Sequence, residues 1–335
     1  MLDFIKGIAC ICVVFIHVTF PNMFGLVVKN ICGYAVPVFF MIAGYYVGGQ
    51  KQVIKRRLYK ILRILMLAYI IFFCIECIVQ LKNNNIVLWL HSIISIKVLV
   101  KFFVFCTIDF AIPLWYLIAQ SETYIFWYLI VKFKLEQKML KVMPLLFVFQ
   151  IILRITCETI NCSWFWKINF VTGSLTWFLL GYYIYNIEVE KIKKIENRVL
   201  LFAGVIGMCI TCIPIIFSLK VNFSSVGYIP YATAIFLFAI KNDGYSISQT
   251  IEYLGGKLSL WVYIFHVPMS IVISYVCSKI LKIDIQSSLF LWCFPIVTAV
   301  AVIIFSYLFE KIIYRNVVGV RHQYGQNSVN LRKNS

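Results

Sequence analysis

Charge is scarce in this chain: 13% of the 335 residues are Asp, Glu, Lys or Arg, while 62% are hydrophobic and the mean hydropathy is +0.91. A soluble globular domain carries about 25% charged residues, so that class is excluded. Long polar stretches are lacking too, which leaves no room for a separate soluble domain between the apolar runs. The N-terminal segment has neither a basic leader nor a small-x-small cleavage site, so it is expected to stay as a helix rather than leave as a signal peptide. No internal repeat is visible, although the inverted repeats of transporters often leave no trace in sequence. Twelve cysteines are present, but the two C-x-x-C pairs, "CIEC" at 74–77 and "CITC" at 209–212, lack flanking ligands and lie in apolar segments. There cysteine behaves as a small hydrophobe, and no metal is expected. Cys157 and Cys162, in "CETINC", form the one pair placed for a disulfide.

What is abundant is apolar length. Runs of the size that crosses about 30 Å of hydrocarbon recur along the chain. Ten spans are expected, at 4–20, 32–48, 60–81, 113–133, 140–156, 168–186, 199–219, 226–240, 258–279 and 287–309. The fold class is therefore all-α, a polytopic membrane bundle of about ten helices. It makes one domain over 1–315, followed by a disordered cytoplasmic tail at 316–335.

Of the 31 Lys and Arg, this layout puts 22 on the side of the N-terminus and eight on the other, with Arg154 alone inside a span. The positive-inside rule then predicts that both termini are cytoplasmic. The net charge of +18 is mostly topology and calls for no nucleic acid. The segment 92–110, "SIISIKVLVKFFVFCTIDF", is apolar enough to lie on or dip into the membrane, with Lys97 and Lys101 reaching the headgroups.

Ionisable residues inside the bilayer are costly, so each marks a candidate site. They are Lys6 and His17 in the first span, Glu76 in the third, Glu122 in the fourth, Arg154 with Glu158 at the end of the fifth, and His266 in the ninth. Lys6 and His17 are eleven residues apart. That spacing puts them on one helix stripe about 16 Å apart, with Asp3 one turn before Lys6 as its partner. The pair reads either as interfacial residues at the two ends of a span or as functional groups. Glu122 lies in the polar run "QSET", whose face must meet protein or water. Arg154 and Glu158 are spaced for an intrahelical ion pair or a substrate contact. His266 precedes Pro268, where a kink is expected, and is either satisfied by a neighbouring carbonyl or functional.

Four ordered stretches resemble the acyltransferase 3 family of integral membrane acyltransferases. They are "DFIKGIA" followed by His17, "VPVFFMIAGYYV" at 36–47, "PLWYLIA" at 113–119 and "LGGKLSLWVYIFHVP" at 254–268. The basic run "KRRLYKILR" at 55–63 is similar to the family's R-x-x-R element, present only as Arg57 to Lys60 or Lys60 to Arg63. "QSET" departs from a pattern that is usually apolar.

The resemblance implies transfer of an acyl group, usually acetyl, from acetyl-CoA to a hydroxyl of a cell-envelope glycan or lipid-linked saccharide. Acyl-CoA is then a substrate and no cofactor is tightly bound. His17 would be the base, and His266 a second base, an acyl acceptor or a donor to the thioester carbonyl. Lys6, Arg57, Lys60 and Arg63 would serve the CoA phosphates or the entrance, Glu122 and Arg154 would contact substrate, and Asp3 and Glu158 would be structural partners.

A multi-span transporter or flippase of a small molecule or lipid-linked sugar is the alternative. A third reading is a binding domain of the same family that travels with a fused catalytic domain, as in membrane-bound serine racemases, and no fused domain is expected here. The Lys-, Ile- and Asn-rich composition suggests an AT-rich bacterial genome, and the expected location is the bacterial cytoplasmic membrane.

Overall fold

The computed structural model describes residues 1–167 and 169–314. The expected tail at 316–335, and with it Arg315, Arg321, Arg332 and Lys333, lies outside the described residues. Among the described residues every regular element is helical. In chain order these are α1 (Leu2–His17), α2 (Asn22–Cys32), α3 (Ala35–Val47), α4 (Lys51–Lys82), α5 (Ile86–Ile93), α6 (Ile96–Phe105), α7 (Trp115–Lys132) and α8 (Glu136–Thr159). There follow α9 (Thr176–Tyr185), α10 (Val189–Lys193), α11 (Asn197–Ile216), α12 (Ser224–Lys241), α13 (Gln249–Tyr253), α14 (Ser259–Tyr275) and α15 (Ser288–Leu308).

Among the described residues eight helical segments are long and apolar enough to cross a membrane. The expected spans at 4–20 and 168–186 correspond to shorter pieces. They are α1, with 16 residues, and the wide-turned segment Phe170–Leu175 continued by α9. Two boundaries differ from the sequence-based layout. Residues 22–31, expected as an outer loop, form α2, and the basic run 55–63 is part of α4 rather than a loop before it. Lys and Arg are good helix formers, so they extend an apolar helix beyond its greasy portion.

Large apolar side chains crowd the outside of the bundle, Leu88 at 72% and Leu145 at 68% exposure among them. In water such a surface would aggregate, whereas in lipid it is the solvent-facing side. Helices in lipid associate through close packing of small residues rather than through hydrophobic burial. The pairing of α3 with α9 shows this: a Cβ on Gly44 would lie 2.0 Å from the Phe178 carbonyl oxygen, and one on Gly181 would lie 2.0 Å from that of Met41. The two backbones touch. Trp127 on α7 donates its indole N–H to the Gly48 carbonyl oxygen at 3.1 Å, closing the same end of the bundle.

α5 and α6 contain no buried residue, and Lys101 on α6 is paired with Asp109 at 2.8 Å. All twelve cysteines are free, Cys157 and Cys162 included. α14 runs unbroken through Pro268, and its irregularity lies in the wide turns before and after it, Leu254–Leu258 and Val276–Ile280.

Candidate functional site

The register of α1 against α14 is set at one end by glycine. A Cβ on Gly7 would sit 2.2 Å from the Ile251 carbonyl oxygen, and one on Gly255 would sit 1.8 Å from that of Asp3. Only hydrogen fits at either position. From these contacts α1 and the 249–275 segment run in parallel, ten residues from Gly7 to His17 and eleven from Gly255 to His266. At 1.5 Å per residue the two paths are about 15 and about 16 Å long. They end level, and the His17 and His266 rings meet with centroids 4.7 Å apart. Two histidines from opposite ends of the sequence thus form one pair.

The partners of the pair are unequal. His17 is exposed at the end of α1, whereas His266 is fully buried. His266 Nδ1 lies 2.5 Å from the Tyr263 carbonyl oxygen. A carbonyl only accepts, so Nδ1 carries the proton and Nε2 of the neutral ring holds a lone pair. Among the described residues that Nε2 has no hydrogen-bond partner. One ring nitrogen fixes the side chain and the other is left for a proton.

The remaining segments of the resemblance pack around this centre. Tyr263 donates its hydroxyl to the Pro113 carbonyl oxygen, and its ring lies 5.3 Å from Tyr116. Tyr116 in turn meets Phe40 at 4.6 Å and Phe39 at 6.1 Å. The aromatic residues of 36–47 and 113–119 therefore hold the Tyr263–His266 turn in place. Each contact of this kind contributes about 0.5–1.5 kcal/mol beyond area burial.

The polar run of α7 faces protein, as its composition required. Gln120, Ser121 and Thr123 are buried, and the Thr123 hydroxyl meets that of Ser174 at 2.7 Å. Half-buried Glu122 accepts a hydrogen bond from the Cys106 thiol at 3.1 Å through one oxygen, while its other oxygen is buried with no partner among the described residues. Sequence reasoning did not foresee Cys106 in that role, since nothing local marks it.

A cavity of about 330 Å³ opens beside the last turn of α1, lined by Ile16 together with α2, α8 and the start of α12. Arg154 lines it, but the expected Arg154–Glu158 ion pair does not form. Glu158 instead pairs with Lys167, and the buried Nε of Arg154 has no hydrogen-bond partner among the described residues. The chain turns back after α8, so Lys167 approaches Glu158 from outside the helix, a contact that i,i+4 spacing within α8 could not reveal. Lys29, Gln150 and Tyr228 also line the cavity. None was singled out from sequence: Lys29 and Lys167 counted only as topological charge, and a search for polar as well as ionisable residues within spans would have found Gln150.

At the opposite end of α1, Lys6 is paired with Asp3 as expected. Arg57 is half-buried with its guanidinium over the Tyr46 ring, 5.6 Å from the centroid, Lys60 is half-buried and Arg63 is exposed. These cations lie on α4, away from the histidines, so the sequence-derived candidates divide between two ends of the bundle. Glu76, in the C-terminal part of α4, accepts a hydrogen bond from Gln80 at 2.7 Å and joins neither group.

No curated protein and no solved structure matches the chain. A family model does, the one described as an acyltransferase domain, over residues 1–311. That range takes in α1, the aromatic segments and the 254–268 stretch, so the parts that meet at His17 and His266 are parts of one family pattern. The chain belongs to the acyltransferase 3 family of membrane acyltransferases.

Proposed function

We propose that this enzyme moves an acetyl group from cytosolic acetyl-CoA to a hydroxyl of an extracytoplasmic envelope glycan or lipid-linked saccharide. The observation that carries this reading is the His17–His266 pair, with rings 4.7 Å apart and an uncommitted imidazole nitrogen. His17, the exposed member, takes the proton from the acceptor hydroxyl as its oxygen attacks the thioester carbonyl. The tetrahedral intermediate collapses, the carbon–sulfur bond breaks, and the imidazolium returns the proton to the departing thiolate. His266, anchored through Nδ1, orients His17, and its free Nε2 lone pair provides a second place for the proton.

The donor comes from the other end. Arg57, Lys60 and Arg63 hold the CoA phosphates, Lys6 orders the entrance with Asp3, and the pantetheine arm runs about 16 Å along α1 to bring the thioester to His17. This arrangement needs α1 and the 170–185 segment to cross the bilayer, with both termini in the cytoplasm. It is supported by the 22 to 8 division of Lys and Arg, which suits an even number of crossings. Each segment is about 24 Å long, and a bilayer thins locally around short spans. A bacterial cytoplasmic membrane suits the composition.

Membranes containing the protein, supplied with acetyl-labelled CoA, should label an envelope glycan. His17→Ala should abolish the label, and His266→Ala should reduce it strongly. Undiminished transfer by His17→Ala removes the base, and uptake of a solute without any acetyl transfer favours a transporter.

A further inference from the structure

The cavity beside the last turn of α1 contains polar groups that the transfer chemistry does not use. Three cations line it, Lys29, Arg154 and Lys167, against one carboxylate among the described residues, Glu158, which is already paired with Lys167. Gln150 is 4% exposed, and among the described residues neither its buried Oε1 nor the buried Nε of Arg154 has a hydrogen-bond partner. The Ser225 hydroxyl, also at the lining, is a third such group. Buried polar groups in folded proteins are ordinarily satisfied, and a guanidinium is among the most costly to leave bare. The wall itself is tied down: Tyr228 donates its hydroxyl to the Asn30 carbonyl oxygen at 3.0 Å, locking α12 to α2. Cationic side chains thus line a cavity whose wall is fixed.

We propose that this cavity is the acceptor subsite and that it selects an anionic saccharide, a sugar bearing a carboxylate or a phosphate beside the hydroxyl to be acylated. The inference rests on the transferase reading for its link to His17, and its charge selectivity is measurable without any transfer. The volume of about 330 Å³ suits one sugar unit. Arg154, with Lys29 beside it, takes the anionic group, and a guanidinium matches two oxygens of a carboxylate or phosphate. Ile16, the residue before His17 on α1, lines the cavity, which places the site at the His17 end of that helix. In this proposal a sugar held by its anion at Arg154 offers its hydroxyls to the histidine pair at that end of α1.

The test uses the full-length protein in phosphatidylcholine nanodiscs, titrated with glucuronate, glucose 1-phosphate and glucose, with binding read by saturation-transfer NMR. At least one charged sugar should bind ~10-fold or more tightly than glucose, and which one tells carboxylate from phosphate. Arg154→Gln should remove that preference, and Arg154→Lys should keep part of it. Equal binding of all three sugars, or a preference unchanged in Arg154→Gln, overturns the proposal. So does loss of probe binding when phosphatidylglycerol replaces phosphatidylcholine, which would assign the site to a lipid headgroup. Acetyl transfer measured on the same samples separates the two readings: charge-selective binding without transfer removes the transferase reading alone. Transfer that is indifferent to Arg154→Gln, with no charge selectivity, removes only the subsite.

Discussion

Alanine at position 255 places a methyl carbon 1.8 Å from the Asp3 carbonyl oxygen and 2.5 Å from the Gly7 nitrogen. Both are backbone atoms, so no side-chain rotation relieves the clash. Raising 1.8 Å to the 3.4 Å at which ordinary contact begins moves α1 away by about 1.6 Å. A helix is stiff over the roughly 15 Å from there to His17, and the displacement reaches the histidine pair. Misplacing a reacting group by about 1 Å costs about 100-fold in rate, and overpacking of this kind costs about 1–3 kcal/mol of stability. Gly256 is the internal control, because its Cβ would meet only the Asp3 carboxylate, 3.3 Å away at the end of a flexible side chain. Initial rates of label transfer from acetyl-CoA should be compared at equal amounts of folded protein, counted by size-exclusion chromatography in detergent. Gly255→Ala should fall about 100-fold and Gly256→Ala should stay within about twofold of the parent. Equal loss in both variants, or full activity in Gly255→Ala, would refute the claim that backbone contact at Gly255 sets the histidine register.

Removing the Cys106 thiol leaves Glu122 without its donor, and Cys106→Ala should lower stability by about 1–3 kcal/mol. Glu122→Gln keeps an acceptor for the thiol and should change the unfolding temperature less than Cys106→Ala does. Thermal unfolding in detergent decides between them, and the reverse order would rule out the hydrogen bond as the stabilising feature. For the donor end, Lys6→Ala should raise the KM for acetyl-CoA about tenfold at nearly constant kcat, and Lys6→Arg should restore it. Its ion pair with Asp3 is partly exposed and contributes under about 1 kcal/mol. Steady-state kinetics at varied acetyl-CoA checks this, and a changed kcat at constant KM would argue against an entrance role.

Much of the bundle is legible from composition and periodicity, because lipid demands long uncharged helices and tolerates few alternatives. The eight long segments coincide with expected spans for this reason. α2 was missed because its polar and apolar residues together resemble a loop when scanned for a full span. α1 and the 170–185 segment were placed but turn out shorter than a typical span. At the site, Lys6 with Asp3 was legible, since three residues separate them on one helix and local geometry suffices. Arg154 with Glu158 was equally local, yet Lys167 took the carboxylate from a segment whose path the sequence does not reveal.

The sequence by itself determined that this is an all-helical membrane protein, that polar groups lie at unusual depths, and that four ordered stretches belong to one family pattern. Apolar length, charge placement and residue spacing along a single helix suffice for those. Tertiary structure decided that His17 meets His266, that Cys106 serves Glu122, and that Arg154 lines a cavity beside the last turn of α1. These depend on contacts between distant segments, set by close backbone approach at Gly7 and Gly255 and by the turn of the chain after α8, which no one-dimensional pattern specifies.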